Sequence, residues 1–417
     1  MKILWFEVSV PARYHESNRV VTGWQDSLEE VVRNTMNVEL IIAFESTQYN
    51  EIKHIDGITY IPIYTEYTRL EKYSTDFWGI VAKKIIPRSI DIVKEYNPDI
   101  IHVFGTEWPF GLIAEHTQIP VVVHIQGSMI PYNNALFPPG YSNMTMYSAL
   151  KYNFRGMIFH YLETQKTYSR EKIERRIWKS VKYYMGRTDW DYALANIMHP
   201  NCSYFHVEEA LRPNFISNNR MWQNNNSKKI KLLTIGHSGR WYWKGIDMLL
   251  KTSKVLKHLN IDFEWNLVGG LSDIMKKTIE KKTNTSFKDN NVKLLGLLDS
   301  EQLIKHLVET TIYVHTSYVE NSPNAICEAQ YIGVPIISTN VGGISTLCND
   351  KNDGILVPAN DPYQMAFAII QLASDKELMN KFSNNSIQKS HKRHDYHNIS
   401  TQLMNSYKSI IDSSSKS

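Results

Sequence analysis

Two glutamates lie eight positions apart around the start of a predicted helix, within residues 316–343. Glu320 lies in the polar loop after a short apolar strand, and Glu328 lies about one and a half turns into the helix. The two carboxylates therefore bracket the helix end. On spacing alone, the alternative is that Glu320 is a solvated loop residue and that Glu328 lies on the helix surface.

The start of this helix carries the residues that commonly begin helices. Ser322 is a favoured N-cap residue, and Pro323 is favoured at the first helical position. The backbone N–H groups of Asn324 and Ala325 then point out of the helix end, where anions bind. The pattern predicts a phosphate site.

Two cations, Arg240 and Lys244, precede a second predicted helix at residues 245–257. A turn from a strand into a helix with an Arg and a Lys suits a diphosphate, because Arg donates bidentate hydrogen bonds and Lys supplies a compact charge. The alternative is that both residues are exposed and serve only solubility.

Alternating strands and helices must position these residues. Short apolar runs alternate with amphipathic helical stretches, which predicts doubly wound parallel sheets whose ligands lie beyond the carboxyl ends of the strands. His124 lies at the carboxyl end of a predicted strand, shortly before Gly127 and Ser128. His102 lies inside another predicted strand. A histidine at either position commonly has only a structural role. The predicted strands are 2–8, 38–44, 58–63, 100–104, 121–125, 231–235, 263–268, 292–295, 312–315, 336–338 and 354–357.

Composition limits the possible classes of protein. The 417 residues suit two domains, and 42% hydrophobic with 21% charged residues indicates a globular chain. The net charge of +4 is too mild to indicate a nucleic-acid partner. Three scattered cysteines (Cys202, Cys327 and Cys348) suit neither a disulfide framework nor a zinc site, and they favour a reducing compartment.

Neither a signal peptide nor a membrane span is predicted. The N-terminal apolar run stops at Pro11, which is too early for a signal peptide, and no stretch of about 20 apolar residues occurs. We therefore expect a cytoplasmic protein. Residues 216–229 are polar and rich in Asn, which is typical of a linker between domains.

Residues 129–185 begin with many aromatic residues, interleaved with Lys151 and Arg155, and continue into a basic segment with few acidic residues. This composition suits helices on an anionic membrane surface, or helices that grip an acceptor on a phosphate-rich carrier, and it equally suits an ordinary solvated helix pair. The chain then continues into a segment at 186–215 that contains Arg187, whose role the sequence leaves open. The basic residues are Arg170, Lys172, Arg175, Arg176, Lys179 and Lys182.

Residues 316–343 resemble the signature of the retaining glycosyltransferases of family four, which have the GT-B fold. The signature is a Glu, a second Glu followed by Ala, a G-x-P turn and a Gly pair, found here as Glu320, Glu328-Ala329, Gly333-Val334-Pro335 and Gly342-Gly343. The resemblance implies two Rossmann-like domains that face a cleft. These would be residues 1–215, joined by a C-terminal helix within 394–417 that crosses back, and residues 230–393, which bind the nucleotide-sugar.

The resemblance also implies roles for individual residues. Arg240 and Lys244 would stabilise the departing diphosphate together with the amides of Asn324 and Ala325, and His124 would lie near the transferred sugar. Glu320 would contact the donor sugar, Glu328 would bind the ribose, and Gly23 would lie near the donor phosphates. Gly269, Gly270, Gly296 and Leu297 would form the walls of the base pocket. The chain departs from the family at Asn321 and Pro323, where glycines are common, and it lacks the usual paired glycines near Gly23.

The function implied is transfer of a hexose-type sugar, with retention, from a UDP- or GDP-sugar to a glycan acceptor. The aromatic and basic segment favours a lipid-linked acceptor, and hence synthesis of capsule, exopolysaccharide or lipopolysaccharide. Neither a metal nor another cofactor is expected, since the cations replace the metal. Two alternatives are a nucleotide-sugar epimerase on the same fold and a non-catalytic subunit that binds a sugar nucleotide.

Overall fold

The structure is a computed structural model, which describes residues 1–15, 23–151, 153–224, 229–236 and 242–415. Fourteen strands are found in these residues. In chain order, β1 to β14 are Lys2–Glu7, Glu39–Ser46, Lys53–Ile55, Ile58–Tyr64, Ile100–Phe104, Val121–His124, Tyr183–Gly186, Ser203–His206, Ile230–Ile235, Phe263–Val268, Val292–Gly296, Ile312–His315, Ile336–Thr339 and Ile355–Val357.

Sixteen α-helices occur in the same residues, together with short 3-10 turns at Ala12–Tyr14, Pro109–Glu115, Tyr242–Lys244 and Lys288–Asn290. None of these helices combines the length and the apolar character required to cross a membrane. In chain order, α1 to α16 are Trp24–Thr35, Arg69–Lys72, Phe77–Tyr96, Met129–Asn134, Asn143–Ala149, Phe154–Ser180, Asp189–Met198, Pro213–Ile216, Ile246–His258, Asp273–Thr283, Ser300–Glu309, Asn324–Ile332, Ile344–Leu347, Pro362–Ser374, Lys376–Arg393 and Tyr396–Ser414.

The chain divides into two compact units, each built on one sheet. The first unit contains 1–133, 160–212 and 393–417, and the second contains 134–159 and 213–392. The first sheet has the order β3-β4-β2-β1-β5-β6-β7-β8, and the second has the order β11-β10-β9-β12-β13-β14. All neighbours pair in parallel except β3 and β4. Two doubly wound α/β sheets are therefore present, as the sequence predicts.

The strands of both sheets are apolar runs because helices cover both faces. Five consecutive residues of β1 are buried, and every residue of β5, β6, β12 and β13 is buried. The antiparallel pair of β3 and β4 closes through Asp56 and Gly57, both with positive φ (50° and 83°), as a two-residue hairpin turn requires.

The C-terminal helix α16 packs within the first unit and accounts for His102. The Tyr407 hydroxyl accepts a hydrogen bond from Trp5 Nε1 (3.1 Å) and lies 2.5 Å from His102 Nδ1. Burial lowers the pKa of His102 to about 3, so the ring is neutral. His102 therefore has a structural role under α16.

Residues 134–159 pack in the second unit, whereas the predicted N-terminal domain contains them. The rings of Phe137 and Tyr141 pack against Tyr242, and α5 packs against α10; sequence pattern alone does not indicate these contacts. The predicted linker 216–229 is likewise attached, as far as it is described: Trp222 donates hydrogen bonds through its backbone N–H to Ile332 O (2.9 Å) and through Nε1 to Thr310 O (2.7 Å). Its residues 225–228 lie outside the described part.

The helix that carries Glu328 begins one residue later than predicted. Pro323 is the N-cap residue, with extended backbone (φ −73°, ψ 116°), and Asn324 is the first helical residue. The Pro323 side chain itself makes no capping hydrogen bond. The shift agrees with the fixed φ of proline, which suits the cap position as well as the first turn.

Candidate active site

The loops that carry Lys244 and Glu320 follow neighbouring strands. In the second unit, the chain adds β10 and β11 on one side of β9 and then adds β12 to β14 on the other. The winding direction thus reverses between β9 and β12, and the loops at such a point leave a crevice at the carboxyl edge of the sheet. The Lys244 turn follows β9, and Glu320 follows β12.

Lys244 and Glu320 form an ion pair at this edge. Lys244 Nζ lies 2.5 Å from Glu320 Oε1, and Ser317 Oγ donates a hydrogen bond to the same oxygen (2.8 Å). His315 Nε2 is 3.5 Å from it. The Lys244 side chain is 23% exposed and that of Glu320 only 6%. A buried carboxylate therefore holds a cation that solvent, and hence a ligand, can reach.

The electrostatics keep Glu320 ionised. Burial by itself would raise the pKa of the carboxyl, but the Lys244 ammonium, together with the neighbouring His315 ring, holds the pKa well below its usual value. Glu320 is consequently a charged hydrogen-bond acceptor and not a proton donor at physiological pH.

Three glycines bring the backbone of these loops together. Gly245 has φ +69°, and a Cβ there would collide with the carbonyl of Thr316. Gly342 has φ +55°, and a Cβ there would lie 1.7 Å from the carbonyl oxygen of Glu320. The N–H of Gly343 donates to that oxygen (3.0 Å). The glycine pair after β13 thus fixes the main chain of Glu320.

The start of α12 lies in the same loop. The carbonyl of Pro323 accepts hydrogen bonds from Ile326 N (2.9 Å) and Cys327 N (3.4 Å), which closes the first turn. Asn324 and Ala325 are the first two helical residues, so their N–H groups belong to the helix end. Glu328 is buried, at 3% exposure. Glu320 therefore lies in the loop that leads into α12, and Glu328 lies in α12 itself, on either side of the helix start.

The predicted base-pocket residues follow β10 and β11. Gly269 has φ +120°, and a Cβ there would collide with the carbonyl of Gly236; its N–H donates to Gly296 O (2.8 Å). Gly270 follows it directly. Gly296 has φ +72° with open space around a Cβ position, and Leu297 is 73% exposed. These residues lie at the same carboxyl edge as Lys244.

His124 ends β6 in the first unit and is fully buried, at 0% exposure. The ring of Trp24 packs against it at 4.9 Å, and that of His102 stacks at 5.4 Å. Burial lowers the pKa of His124 well below its usual value, and His102 and Arg187 lower it further. Neither ring nitrogen has a hydrogen-bond partner among the described residues. The ring is therefore neutral, and its contact with a sugar stays a prediction.

Two other predicted positions lie near this strand edge. Arg187 is buried, forms an ion pair with Glu209 (3.0 Å) and donates to the carbonyl of Ile125 (3.2 Å). It therefore links the loop after β6 to the segment after β8, which contains Glu209. Gly23 is the N-cap residue of α1 with extended backbone, and a Cβ there would meet no atom within 4 Å. Among the residues that the structure describes, none requires glycine at this position for steric reasons.

Arg240 lies outside the described residues. Among the described residues, no group of three or more His, Cys, Asp or Glu side chains is placed to hold a metal ion. Of the four predicted catalytic residues, Lys244 and Glu320 are thus in direct contact, and His124 belongs to the other unit.

Curated proteins match part of this chain. The amylovoran biosynthesis glycosyltransferase AmsK of Erwinia amylovora is 26% identical over 140 residues, which is 31% of this chain and 33% of AmsK. A 41.2 kDa protein in the cps region of Klebsiella pneumoniae is 28% identical over 186 residues, 43% of this chain and 47% of that protein. The chain therefore matches between a third and a half of the length of these relatives.

The family profile described as Glycosyl transferases group 1 matches residues 216–389. This segment is a glycosyl transferases group 1 domain. The domain contains the Glu320 loop and α12, which carry the signature, and also the Lys244 turn. The predicted recognition is thereby confirmed for this part of the chain.

Solved structures extend the likeness of fold beyond the group 1 domain. Sucrose-phosphate synthase from Thermosynechococcus elongatus has a TM-score of 0.72 at 14% identity, covering 99% of both chains. Anabaena HepE in complex with UDP and glucose has a TM-score of 0.64 at 13% identity, covering 98% of this chain and all of HepE. The predicted GT-B fold class is confirmed, and at these identities the likeness shows the fold alone.

Two residues that contact Glu320 were not predicted from the sequence. His315 Nε2 lies 3.5 Å from Glu320 Oε1, and Ser317 Oγ donates a hydrogen bond to the same oxygen (2.8 Å). The position of His315 at the end of β12 was the available signal, since polar residues at strand ends reach the ligand edge.

Proposed function

We propose that this chain is a retaining glycosyltransferase that moves a hexose-type sugar from a nucleoside-diphosphate sugar to a glycan acceptor. The observation that carries the proposal is the contact between the buried Glu320 carboxylate and the partly exposed Lys244 ammonium, beside the start of α12. A cation and a helix N-terminus together form a diphosphate site, and the carboxylate next to them suits sugar hydroxyl groups.

The donor would bind with its diphosphate against Lys244 and the N–H groups of Asn324 and Ala325. Lys244 carries three N–H donors, so its bond to Glu320 leaves others for phosphate oxygens. Arg240, outside the described residues, would add a second cation, and Glu328 would bind the ribose. The base would lie against the backbone that follows β10 and β11, as proposed for Gly269, Gly270, Gly296 and Leu297.

Catalysis would be chiefly electrostatic. The anomeric C–O bond to the diphosphate breaks, and the acceptor oxygen bonds to the same face of the sugar. The acceptor proton passes to the departing phosphate oxygen. Lys244 and the helix amides stabilise the charge that develops on the diphosphate. Glu320 Oε1 already accepts from Lys244 and Ser317, which favours a hydrogen-bonding role over a nucleophilic one.

The names of similar proteins support a UDP-sugar and a role in polysaccharide assembly. The HepE structures hold UDP with glucose or UDP-glucose, and the TarM structure with fondaparinux also holds UDP. AmsK takes part in amylovoran biosynthesis, and WaaG in lipopolysaccharide biosynthesis. We therefore propose a UDP-sugar as the first donor to test, with GDP-sugars next, for capsule, exopolysaccharide or lipopolysaccharide synthesis.

We further propose that the acceptor is lipid-linked and that the first unit contacts the inner face of the cell membrane. The basic residues of the segment 129–185 differ in their exposure to solvent. Arg170 is half-buried, lies against the rings of Trp78 (4.7 Å) and Trp108 (4.0 Å) and donates to the carbonyl of Glu107 (2.8 Å), so its guanidinium is already engaged within the fold. Lys172 and Lys179 are exposed on α6. Only part of the basic segment is thus placed for an anionic surface.

A groove of about 580 Å³ in the first unit supports this proposal. It lies between α3, the turn Pro109–Glu115 and α6, with an apolar floor that includes Ile86, Leu112 and Ile173. Lys83, Lys172 and Arg176 line its rim, together with Asp76 and His116. An apolar floor with a mainly cationic rim suits an anionic lipid.

Vesicle flotation tests the membrane contact. The protein should float with phosphatidylglycerol vesicles and not with phosphatidylcholine vesicles, and the double variant Lys83→Glu/Lys172→Glu should lose most of this binding. The control Lys94→Glu/Lys408→Glu makes the same charge change on exposed positions of the first unit that do not line the groove. Equal loss in both double variants would contradict a specific groove.

The donor reaction is tested with a panel of UDP-, GDP- and ADP-sugars. We expect one donor to raise the melting temperature and to release its nucleotide slowly, and we expect Glu320→Ala and Lys244→Ala to reduce this release. Lys293→Ala is the control, because Lys293 also pairs with a glutamate of the second unit (Glu264, 3.3 Å) but lies away from the Lys244 turn.

The products separate the proposal from the alternatives. With a lipid-linked acceptor, the transferred sugar should keep the anomeric configuration of the donor, as read by NMR. An inverted linkage would overturn the retaining mechanism. Free nucleotide together with an epimerised sugar, formed without any acceptor, would indicate an epimerase. Binding without turnover under all conditions would indicate a non-catalytic subunit.

A further inference from the structure

Residues 134–159 form an excursion in which the chain leaves the first unit and packs in the second. Its helix α5 packs against α10. The contact is fixed by Lys281, whose Nζ donates to the carbonyl (3.1 Å) and to the hydroxyl (2.6 Å) of Ser148. The excursion is therefore held in the second unit by helix packing and by these hydrogen bonds.

The excursion places two aromatic rings on the turn that carries Lys244. The ring of Tyr141 lies 5.6 Å from that of Tyr242, and the ring of Phe137 lies 6.2 Å from it. Tyr141 is 8% exposed and Tyr242 is 4% exposed. Lys251 and Lys282 add cation–π contacts at 5.8 Å and 5.9 Å from the Tyr141 ring. One side of the turn Tyr242–Lys244 is thus covered by the excursion.

The loop after β12 holds the same turn by hydrogen bonds. Tyr318 N donates to the carbonyl of Trp243 (2.6 Å), and Thr316 Oγ1 donates to the carbonyl of Lys244 (3.2 Å). The three-residue turn is therefore held by two different segments. Since the Lys side chain is long and flexible, the position of its ammonium depends on how firmly the backbone of this turn is fixed.

We propose that Tyr141 is a positioning residue for Lys244, which it holds in place through the ring of Tyr242. The inference rests on the proposed function for its effect on turnover. The ring, and not the hydroxyl, makes the contact, because the Tyr141 hydroxyl is buried without a hydrogen-bond partner among the described residues. The excursion consequently completes the diphosphate site of the second unit from the first half of the chain.

Hydrogen–deuterium exchange tests the structural step without any substrate. In Tyr141→Ala, the amides of Gly245, bonded to Tyr242 O (3.0 Å), and of Tyr318 should exchange about tenfold faster. Tyr141→Phe should behave like the wild type. Met144→Ala, at an exposed position of the same excursion, is the matched control. Unchanged exchange in Tyr141→Ala would overturn the inference.

A double-mutant cycle tests the functional step. With the donor that the panel identifies, Tyr141→Ala should lower kcat/KM for nucleotide release by about ten- to a hundredfold. Tyr141→Phe, which keeps the ring, should have the wild-type kcat/KM. In a Lys244→Ala background, Tyr141→Ala should change the rate by less than about twofold, because the residue acts through Lys244. Additive losses would overturn the positioning role while the transferase proposal stands. If the wild type releases no nucleotide, the proposed function fails, and the exchange experiment still decides the inference.

Discussion

Gly342→Ala should disable the site while leaving most of the stability. The added Cβ would lie 1.7 Å from the carbonyl oxygen of Glu320, and Cβ contacts below 3.0 Å essentially do not occur. The Glu320 main chain must therefore retreat by about 1.3 Å, the difference between these two distances. This retreat would break the hydrogen bond from Gly343 N and move the carboxylate away from Lys244.

The variant should lose much of its rate but only part of its stability. A non-glycine residue at φ +55° costs about 1–2 kcal/mol of backbone strain, and the lost backbone hydrogen bond adds about 1 kcal/mol. The free energy of unfolding should thus fall by about 2–3 kcal/mol. A misplacement of about 1 Å at a catalytic centre can cost about a hundredfold in rate. We expect donor-dependent nucleotide release to fall by about this factor in protein that remains folded.

Gly57→Ala is the matched control. Gly57 has φ +83°, but a Cβ there would meet no atom within 4 Å, and the residue lies in the β3–β4 hairpin of the first unit. The control should lose about 1–2 kcal/mol of stability and keep its rate of nucleotide release. Urea unfolding and the release assay measure both quantities. A Gly342→Ala enzyme with an unchanged rate, or equal rate losses in both variants, would refute the reasoning.

Burial raises the pKa of Glu174 from 4.5 to about 7, so the folded chain holds a proton there that the unfolded chain releases. The free energy of unfolding should therefore fall as pH rises from about 4.5 to about 7, by about 3 kcal/mol for this group. Urea titrations at pH 5 and pH 8 should show a smaller fall for Glu174→Gln, and an equal fall would contradict the assignment. Tyr407→Phe should cost about 1–3 kcal/mol, because it leaves the buried N–H of Trp5 unpaired. The same change at Tyr363, which is 73% exposed, should cost nothing measurable by urea unfolding. Nucleotide release should be unchanged by EDTA, because Lys244 supplies the cation; a rate that depends on added Mg²⁺ would contradict this.

The strands and the site loops were accessible to sequence reasoning because local rules determine them. A strand covered on both faces must be an apolar run, and this rule located β5, β6, β12 and β13 within about a residue. The glycine pair after β13 was readable because the approach of the Glu320 carbonyl excludes a side chain at Gly342. The helix start at Asn324 was predicted one residue early, since proline fits both the cap and the first turn.

Contacts between distant segments were decided only by the tertiary structure. Lys244 and Glu320 are 76 positions apart, and they meet because β12 adds next to β9 when the sheet reverses its winding direction. Likewise, no local pattern shows that Arg170 lies against two Trp rings or that Tyr141 covers the Lys244 turn. Local sequence thus determined the elements and the chemical groups that they carry. Strand order and long-range packing determined which groups meet, because those depend on residues far apart in the chain.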